Sequence, residues 1–167
     1  MNRLAALLAI AAPLALGACG LHPLYTGGGS GPVAGSLSRV EVAAIPGKAG
    51  YLMSNALRDR LPSRSGESAL YRLEIKLDDQ ITGLGVRRDD TITRERRTLR
   101  ARYQLVDVSN GQIVVDATAG SDAGVDVVNS EYATIAAENT ALERLSEIVA
   151  DQIVTRIAVY ARRQSAK

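Results

Sequence analysis

The sequence predicts an α+β fold, with a single four-stranded, mostly antiparallel sheet and two helices on one of its faces. Three observations support this fold class. Apolar and polar residues alternate over four segments, apolar residues recur every three or four positions over two others, and the segments follow in the order β-α-β-β-β-α. Each helix has one apolar side, so packing both helices against the same face of the sheet buries both sides most simply.

The composition of the 167 residues is that of an ordinary globular chain, with 46% hydrophobic and 23% charged residues. This balance excludes a wholly disordered or fibrous protein. The chain has no Phe and no Trp, so Leu, Ile, Val, Ala and some of the six Tyr must fill the core. With one His and one Cys, it disfavours a zinc site, a disulfide framework and a Cys–His catalytic pair, and we expect neither a metal nor a cofactor.

A short strand and a helix are expected first. The strand covers about residues 40–44, and Pro46 with Gly47 ends it. The helix runs from about Ala49 to Leu61, because Pro62 cannot continue it. Its apolar side consists of Leu52, Met53, Ala56, Leu57 and Leu61.

The second strand has the most regular alternation in the chain. Its core-facing residues are expected to be Tyr71, Leu73, Ile75 and Leu77, with charged residues between them. The third strand is expected from about Thr91 to Val108. Its core side carries Leu99, Ala101, Tyr103 and Leu105.

A hairpin is expected to join the third strand to a fourth, which runs from about Gln112 to Asp122. Ser109-Asn110-Gly111 supplies a three-residue loop with glycine at its last, left-handed position, which is a favoured hairpin. This register keeps the apolar residues of both strands on one face, whereas a shift by one residue would not. The expected pairs are Ala101 with Ala119, Tyr103 with Ala117 and Leu105 with Val115.

The last element is expected to be a long helix from about Glu131 to Arg163, with Ser130 as its N-cap. Apolar residues recur along it at steps of three, four or seven and form one stripe. The stripe consists of Ile135, Leu142, Leu145, Val149, Ile153, Ile157 and Tyr160.

Residues 1–18 are typical of a secretory signal peptide, with Arg3 before an apolar run shorter than the about 20 residues that span a bilayer. The run ends at Leu16-Gly17-Ala18-Cys19, which resembles the lipobox of bacterial lipoproteins. By this resemblance Cys19 becomes the acylated N-terminus after cleavage. Gly20, where an Asp would resemble an inner-membrane retention signal, indicates the outer membrane. The alternative is a free or buried Cys after an ordinary signal peptide.

After the signal we expect a lipidated flexible tether at residues 19–36, one domain at 37–163 and a short tail at 164–167. The Gly- and Ser-rich tether cannot bury enough apolar surface to become ordered. Two or three acyl chains, each contributing about 0.8 kcal/mol per buried CH₂, would hold the protein on a membrane almost permanently.

Positive charge is concentrated between residues 87 and 102, where seven arginines stand against three acidic residues for a local net charge of +4. Four of these arginines share the face of the third strand that is opposite the core. The loop before that strand adds two more. The candidate anion-binding residues are therefore Arg87, Arg88, Arg94, Arg96, Arg100 and Arg102.

Two interpretations of these arginines remain open. They form either a solvated strand face, partly paired with Asp116, Asp122 and Asp126, or a binding surface for an anion. The near absence of lysine favours the second, because the planar guanidinium binds phosphate and carboxylate through paired donors. An exported protein does not meet nucleic acid, so the available anions are lipid headgroups, lipopolysaccharide phosphates and proteins.

The mature chain resembles the family of lipopolysaccharide-assembly lipoproteins, LptE. The segment Cys19-Gly20-Leu21-His22-Pro23-Leu24-Tyr25 and the order of elements carry the resemblance. The short helix with Asn55-Ala56-Leu57-Arg58-Asp59-Arg60-Leu61 adds to it. So does the closing pattern, which consists of Glu131-Tyr132-Ala133, Leu142, Leu145, Ile153, Arg156 and Tyr160.

The resemblance implies a lipid-anchored, periplasm-facing protein that sits inside the β-barrel LptD at the outer membrane. It also implies that basic residues of the sheet and its loops bind lipopolysaccharide, to which the arginine segment corresponds by charge and not by matched motif. One alternative is another periplasmic adaptor lipoprotein, such as an auxiliary subunit of a lipid transporter. We expect no enzyme, since the sequence has no Gly-x-Ser-x-Gly motif and no phosphate-binding glycine loop before a helix.

Overall fold

A computed structural model describes residues 31–61, 68–86 and 92–165 and confirms the α+β class. This part of the chain contains three helices and four strands. Their bounds are α1 Pro32–Leu37, β1 Val40–Val42, α2 Gly47–Arg60, β2 Tyr71–Val86, β3 Ile92–Asp107, β4 Ile113–Asp126 and α3 Glu131–Ser165.

The strands form one sheet in the order β1-β2-β3-β4. β1 runs parallel to β2 and pairs with it only from Tyr71 to Leu73, while β2, β3 and β4 are antiparallel neighbours. The sheet is therefore mostly antiparallel, as expected. Its three long strands extend far past the short β1.

The β3–β4 hairpin has the predicted register, with Ala101 opposite Ala119 and Tyr103 opposite Ala117. Gly111 has the predicted left-handed conformation, with a φ of 72°. The loop itself is longer than the three residues expected, because a register shift between Leu105 and Val106 lets Asp107 bond to Gln112. The Asp107 carboxylate fixes this turn by accepting hydrogen bonds from the backbone N–H and the hydroxyl of Ser109, which lower the pKa of Asp107.

One face of the sheet and all three helices enclose the core. Leu73, Leu99 and Leu105 are fully buried beneath the helices. Most of the predicted apolar side of α2 and most of the stripe of α3 are buried with them. The Ser130 hydroxyl accepts a hydrogen bond from the N–H of Ala133 as an N-cap. Both long helices therefore lie on one face of the sheet.

Helix α1 was not expected, because residues 32–36 were assigned to the flexible tether. Val33, Ala34 and Leu37 are buried, and two of them belong to the main core. Three apolar residues among the glycines are enough to hold one short turn against α3. The domain thus begins at least five residues earlier than expected. Residues 19–30 of the expected tether, which include Cys19, lie outside the described residues.

Ile135 is the one member of the predicted α3 stripe that is exposed, at 47%. The first residues of α2 lie beside Asn139, where the Lys48 ammonium donates to the Asn139 side chain at 2.6 Å. The turn that carries Ile135 therefore extends past the start of α2, and α2 cannot cover it. At its other end, α3 continues to Ser165, two residues beyond the expected end.

Candidate anion-binding face

The outer face of the sheet, opposite the helices, is formed on β3 by even-numbered residues. Successive side chains of a strand point to opposite faces, and the odd-numbered Leu99, Ala101 and Tyr103 are buried in the core. Four arginines are exposed on the outer face, and we call them the arginine row. The row consists of Arg94, Arg96, Arg100 and Arg102. Arg87 and Arg88, the other two candidates, lie outside the described residues.

Carboxylates of β4 lie beside three members of the arginine row, at the aspartates expected for a solvated face. The pairs are Arg94 with Asp126 at 3.5 Å, Arg96 with Asp122 at 3.8 Å and Arg102 with Asp116 at 2.8 Å. All of these side chains are exposed to solvent. Such ion pairs contribute at most about 1 kcal/mol each, so another anion can replace the carboxylate at little cost.

The pair between Arg102 and Asp116 has the shortest distance of the three and several hydrogen bonds. Nη2 of Arg102 donates to both carboxylate oxygens, at 3.0 and 2.8 Å, and Nε2 of Gln104 donates to one of them at 2.9 Å. The hydrogen bond from Gln104, together with the charge of Arg102, lowers the pKa of Asp116. Arg102 is therefore the member of the row least free to bind a ligand.

Arg100 has no carboxylate partner within the described residues. It lies between Asp78 on β2 and Gly120 on β4. The Asp78 carboxylate accepts hydrogen bonds from Nε2 of Gln80, at 3.1 and 3.2 Å. The guanidinium of Arg100 can therefore meet an external anion without first breaking an ion pair.

Two glycines of β4 allow the arginines to lie close to the sheet. A Cβ on Gly124 would come within 3.2 Å of Nε and Nη2 of Arg94, and a Cβ on Gly120 within 3.2 Å of Cγ of Arg100. A larger residue at either position would push the arginine side chain outward. The glycines thus help to set the height of two guanidinium groups above the sheet.

Arg97, the arginine of β3 that points the other way, is buried at the core face with 9% exposure. Its Nε and Nη2 donate to the two carboxylate oxygens of Asp79, at 2.8 and 2.6 Å, and its Nη1 donates to the backbone oxygen of Glu138 at 2.8 Å. The hydrogen bond to Asp79 raises the pKa of Arg97. Arg97 joins β2, β3 and α3 and has no donor directed to the outer face, so its role is structural.

Glu95 lies beside Arg97 on the same face of β3. Its Oε2 atom is buried without a hydrogen-bond partner. Burial, with a smaller contribution from the nearby Glu138, raises the pKa of Glu95. The ionised form of this carboxyl group is therefore destabilised in the folded protein.

The outer face has the chemistry of an anion-binding surface. Its exposed guanidinium groups can donate paired N–H bonds to phosphate or carboxylate. In residues 31–61, 68–86 and 92–165, no group of three His, Cys, Asp or Glu side chains could hold a metal ion. Within the same residues, no helix combines the length and the apolar character that crossing a membrane requires.

The sequence model of the Lipopolysaccharide-assembly family, LptE, matches residues 37–157. This match covers most of the chain, so the protein belongs to the LptE family. It includes every element from β1 to most of α3 and the whole arginine row. No curated protein matches the chain.

Solved structures of lipoproteins have the same fold. A protein from Caulobacter crescentus, described as a lipoprotein, is 29% identical, with a TM-score of 0.66 over 78% of this chain and 96% of its own. Lipoprotein B from Nitrosomonas europaea is 12% identical, with a TM-score of 0.58 over 75% of this chain and 84% of its own. The rare lipoprotein B from Shewanella oneidensis is 9% identical, with a TM-score of 0.59 over 75% of this chain and 96% of its own.

Sequence reasoning placed the four arginines of the row on one face but missed how the neighbouring residues hold them. The glycines at 120 and 124 appeared only as part of a strand. The pair of the buried Arg97 with Asp79 was also missed, although both residues have odd numbers on strands whose odd positions face the core. A charged residue at a core-facing position needs a partner of opposite charge. The odd numbers of Arg97 and Asp79 were therefore enough to predict the pair.

Proposed function

We propose that this protein is an outer-membrane lipoprotein that partners the β-barrel LptD in the assembly and insertion of lipopolysaccharide into the outer leaflet. Membership of the LptE family supports this role. The observation that carries the binding part of the proposal is the arginine row, which offers exposed guanidinium groups on the face without helices. The role is non-catalytic.

Lipopolysaccharide phosphates bind the row by replacing the aspartates of β4. Arg94 and Arg96 hold their aspartates at 3.5 and 3.8 Å in exposed pairs, and Arg100 has no acidic partner within the described residues. A phosphate carries more charge than a carboxylate and accepts paired hydrogen bonds from each guanidinium. These three arginines are therefore the preferred contacts, while Arg102 stays with Asp116.

This exchange explains how the protein would release single lipid molecules. Lipopolysaccharide aggregates because divalent cations bridge its phosphates and its acyl chains cluster. Arginines that donate hydrogen bonds to the phosphates neutralise their charge in place of the bridging cations. The freed molecule can then pass to the barrel that surrounds the protein.

The acylated N-terminus supports the same role by raising the local concentration. Cys19, modified with acyl chains, holds the chain on the periplasmic side of the outer membrane. Anchoring of this kind raises the effective concentration of the domain beside the barrel.

The test is to purify the full-length chain from the membranes of its own cells and identify what accompanies it. We expect an LptD-like barrel, bound lipopolysaccharide and an N-terminal mass that corresponds to acylated Cys19. Subunits of a lipid transporter in place of the barrel would favour the alternative adaptor lipoprotein. An uncleaved, unmodified leader or a cytosolic product would contradict the proposal.

A further inference from the structure

The long outer edge of β2 is a structural feature that lipid binding does not use. β1 pairs with β2 only from Tyr71 to Leu73, whereas β2 continues to Val86. Beyond Leu73, the side of β2 away from β3 has no strand beside it within the described residues. Unpaired edges of this kind are templates for the addition of another strand.

The hydrogen bonds at the start of β2 identify which backbone groups face this edge. The N–H of Tyr71 donates to the backbone oxygen of Arg39, and the backbone oxygen of Leu73 accepts from Ala43. The backbone N–H and C=O groups of odd-numbered residues of β2 are thus directed towards β1, and those of even-numbered residues are directed towards β3. Because this alternation continues along a strand, further odd-numbered residues present unpaired N–H and C=O groups at the edge. These residues are Ile75, Leu77, Asp79, Ile81 and Gly83.

On the opposite edge of the sheet, a helix side chain covers the backbone groups of one residue near the middle of β4. On β4, the N–H of Gly120 donates to Oε1 of Gln152 at 3.2 Å, and Nε2 of Gln152 donates to the Gly120 oxygen at 3.4 Å. A side chain of α3 therefore occupies the backbone N–H and C=O of Gly120, which interrupts this edge as a template for an added strand. No side chain within the described residues does the same for Ile75 to Gly83.

Side chains along the β2 edge define what kind of strand fits it. On the helix side, Leu77 is half-buried and Ile81 is 44% exposed, so neighbouring residues of an added strand would be apolar. Asp79, between them, is already neutralised by Arg97. On the outer side Lys76 has no acidic partner within the described residues, so it would attract a carboxylate of the added strand. A recess of about 340 Å³ beside Lys76 and Ala44 leaves room where β1 ends.

We propose that the β2 edge from Ile75 to Gly83 binds an extended segment of the barrel partner by strand addition. The segment has apolar residues at alternate positions and an acidic residue beside Lys76. Main-chain hydrogen bonds supply the affinity, and the alternating side chains supply the specificity. This inference rests on the proposed function for the identity of the partner, but not for the geometry of the edge.

The test compares two substitutions at Ile81 in the full-length chain purified from membranes. Ile81→Pro removes an N–H that makes no hydrogen bond within the described chain, so the fold should tolerate it, and it blocks an added strand. Ile81→Val keeps the N–H and serves as the matched control. We expect Ile81→Pro to reduce the co-purified barrel about tenfold or more, with Ile81→Val unchanged. Equal recovery of the barrel with both variants would overturn the inference.

Hydrogen exchange provides a second measurement that does not depend on the proline variant. In the purified complex, the amides of Leu77, Asp79 and Ile81 should exchange at least about tenfold more slowly than in the free chain. Amides of Lys76 and Asp78, which already face β3, should change little. Unchanged exchange at the odd-numbered positions in a complex that contains the barrel would overturn strand addition and leave the proposed function intact. Recovery of no barrel with the wild-type chain would instead contradict the proposed function.

A second copy of this chain is the other occupant that the experiment distinguishes. Sedimentation of the wild-type protein should show no self-association at the concentrations used for the complex. A dimer that Ile81→Pro abolishes would place a second copy on the edge and overturn the inference.

Discussion

Arginines of a single strand have opposite roles in this protein, depending on which face they occupy. Arg94 is exposed and pairs with Asp126 at 3.5 Å, whereas Arg97, three residues later, is buried and bonds to both oxygens of Asp79. Arg97 is buried and the Asp79 side chain is 22% exposed, so removal of Arg97 leaves a carboxylate that water solvates only in part. An exposed pair leaves only a solvated one.

Arg97→Ala is therefore expected to lower the free energy of unfolding by about 2 kcal/mol. The substitution leaves the Asp79 carboxylate and the backbone oxygen of Glu138 without their donor. Arg94→Ala, the control on the same strand, should change the free energy of unfolding by no more than about 0.5 kcal/mol. Urea unfolding at neutral pH measures both values. Equal effects of the two variants would show that Arg97 is not buried as described.

Glu95→Gln is expected to stabilise the protein at pH 7. The pKa of Glu95 is raised in the folded state, so the ionised form costs stability as the pH rises through that value. Below the ordinary glutamate pKa the wild-type carboxyl is protonated in both folded and unfolded states, so the gain from glutamine should disappear. Urea midpoints of both proteins measured at acid and neutral pH provide the test. A gain that did not depend on pH would contradict an ionised, buried Glu95.

At the level of elements, Gly111 is the residue on which the hairpin geometry depends. Its φ of 72° lies in the left-handed region, which costs about 1–2 kcal/mol for residues with a Cβ. Gly111→Ala should therefore destabilise the protein by about 1 kcal/mol. Gly35→Ala is the matched control, because Gly35 lies in α1 with open space around it, and alanine there should be neutral or stabilising. Thermal unfolding that showed the same loss for both variants would contradict this account of the turn.

The sequence alone predicts those elements whose apolar pattern matches the neighbours that they pack against in the structure. The alternation in β2 and β3 and the loop ending in Gly111 together determine one register, and the structure has that register. Patterning could not reveal α1, because three apolar residues among glycines do not indicate a helix until α3 is there to pack against. Nor could it reveal that Ile135 is exposed, since this depends on where α2 begins in space.

The candidate site was predictable to the same extent. The alternation of side chains along a strand places four arginines on one face, but it does not show which arginines already pair with a carboxylate. That distinction depends on cross-strand neighbours, such as Asp116 beside Arg102 and Gly120 beside Arg100. Arg87 and Arg88 remain predictions from local charge alone.

In the molecule as a whole, the two faces of the sheet differ in what they contact. The inner face carries the helices and the core, while the outer face carries charge and is open to a ligand. The open edge of β2 lies between them, so the proposed protein partner and the proposed lipid would occupy different parts of the sheet.

Direct binding of lipopolysaccharide to the purified protein tests whether the arginine row binds its phosphates. The double variant Arg96→Glu with Arg100→Glu reverses charge at two of the preferred contacts on the outer face, and Arg144→Glu reverses one exposed charge on α3 as the control. Each charged hydrogen bond contributes about 1.5–3 kcal/mol, so we expect affinity to fall about tenfold or more in the double variant. Thermal unfolding of the double variant and binding by Arg144→Glu should both match the wild type. Unchanged lipopolysaccharide binding by a folded double variant would show that the arginine row does not bind the phosphates.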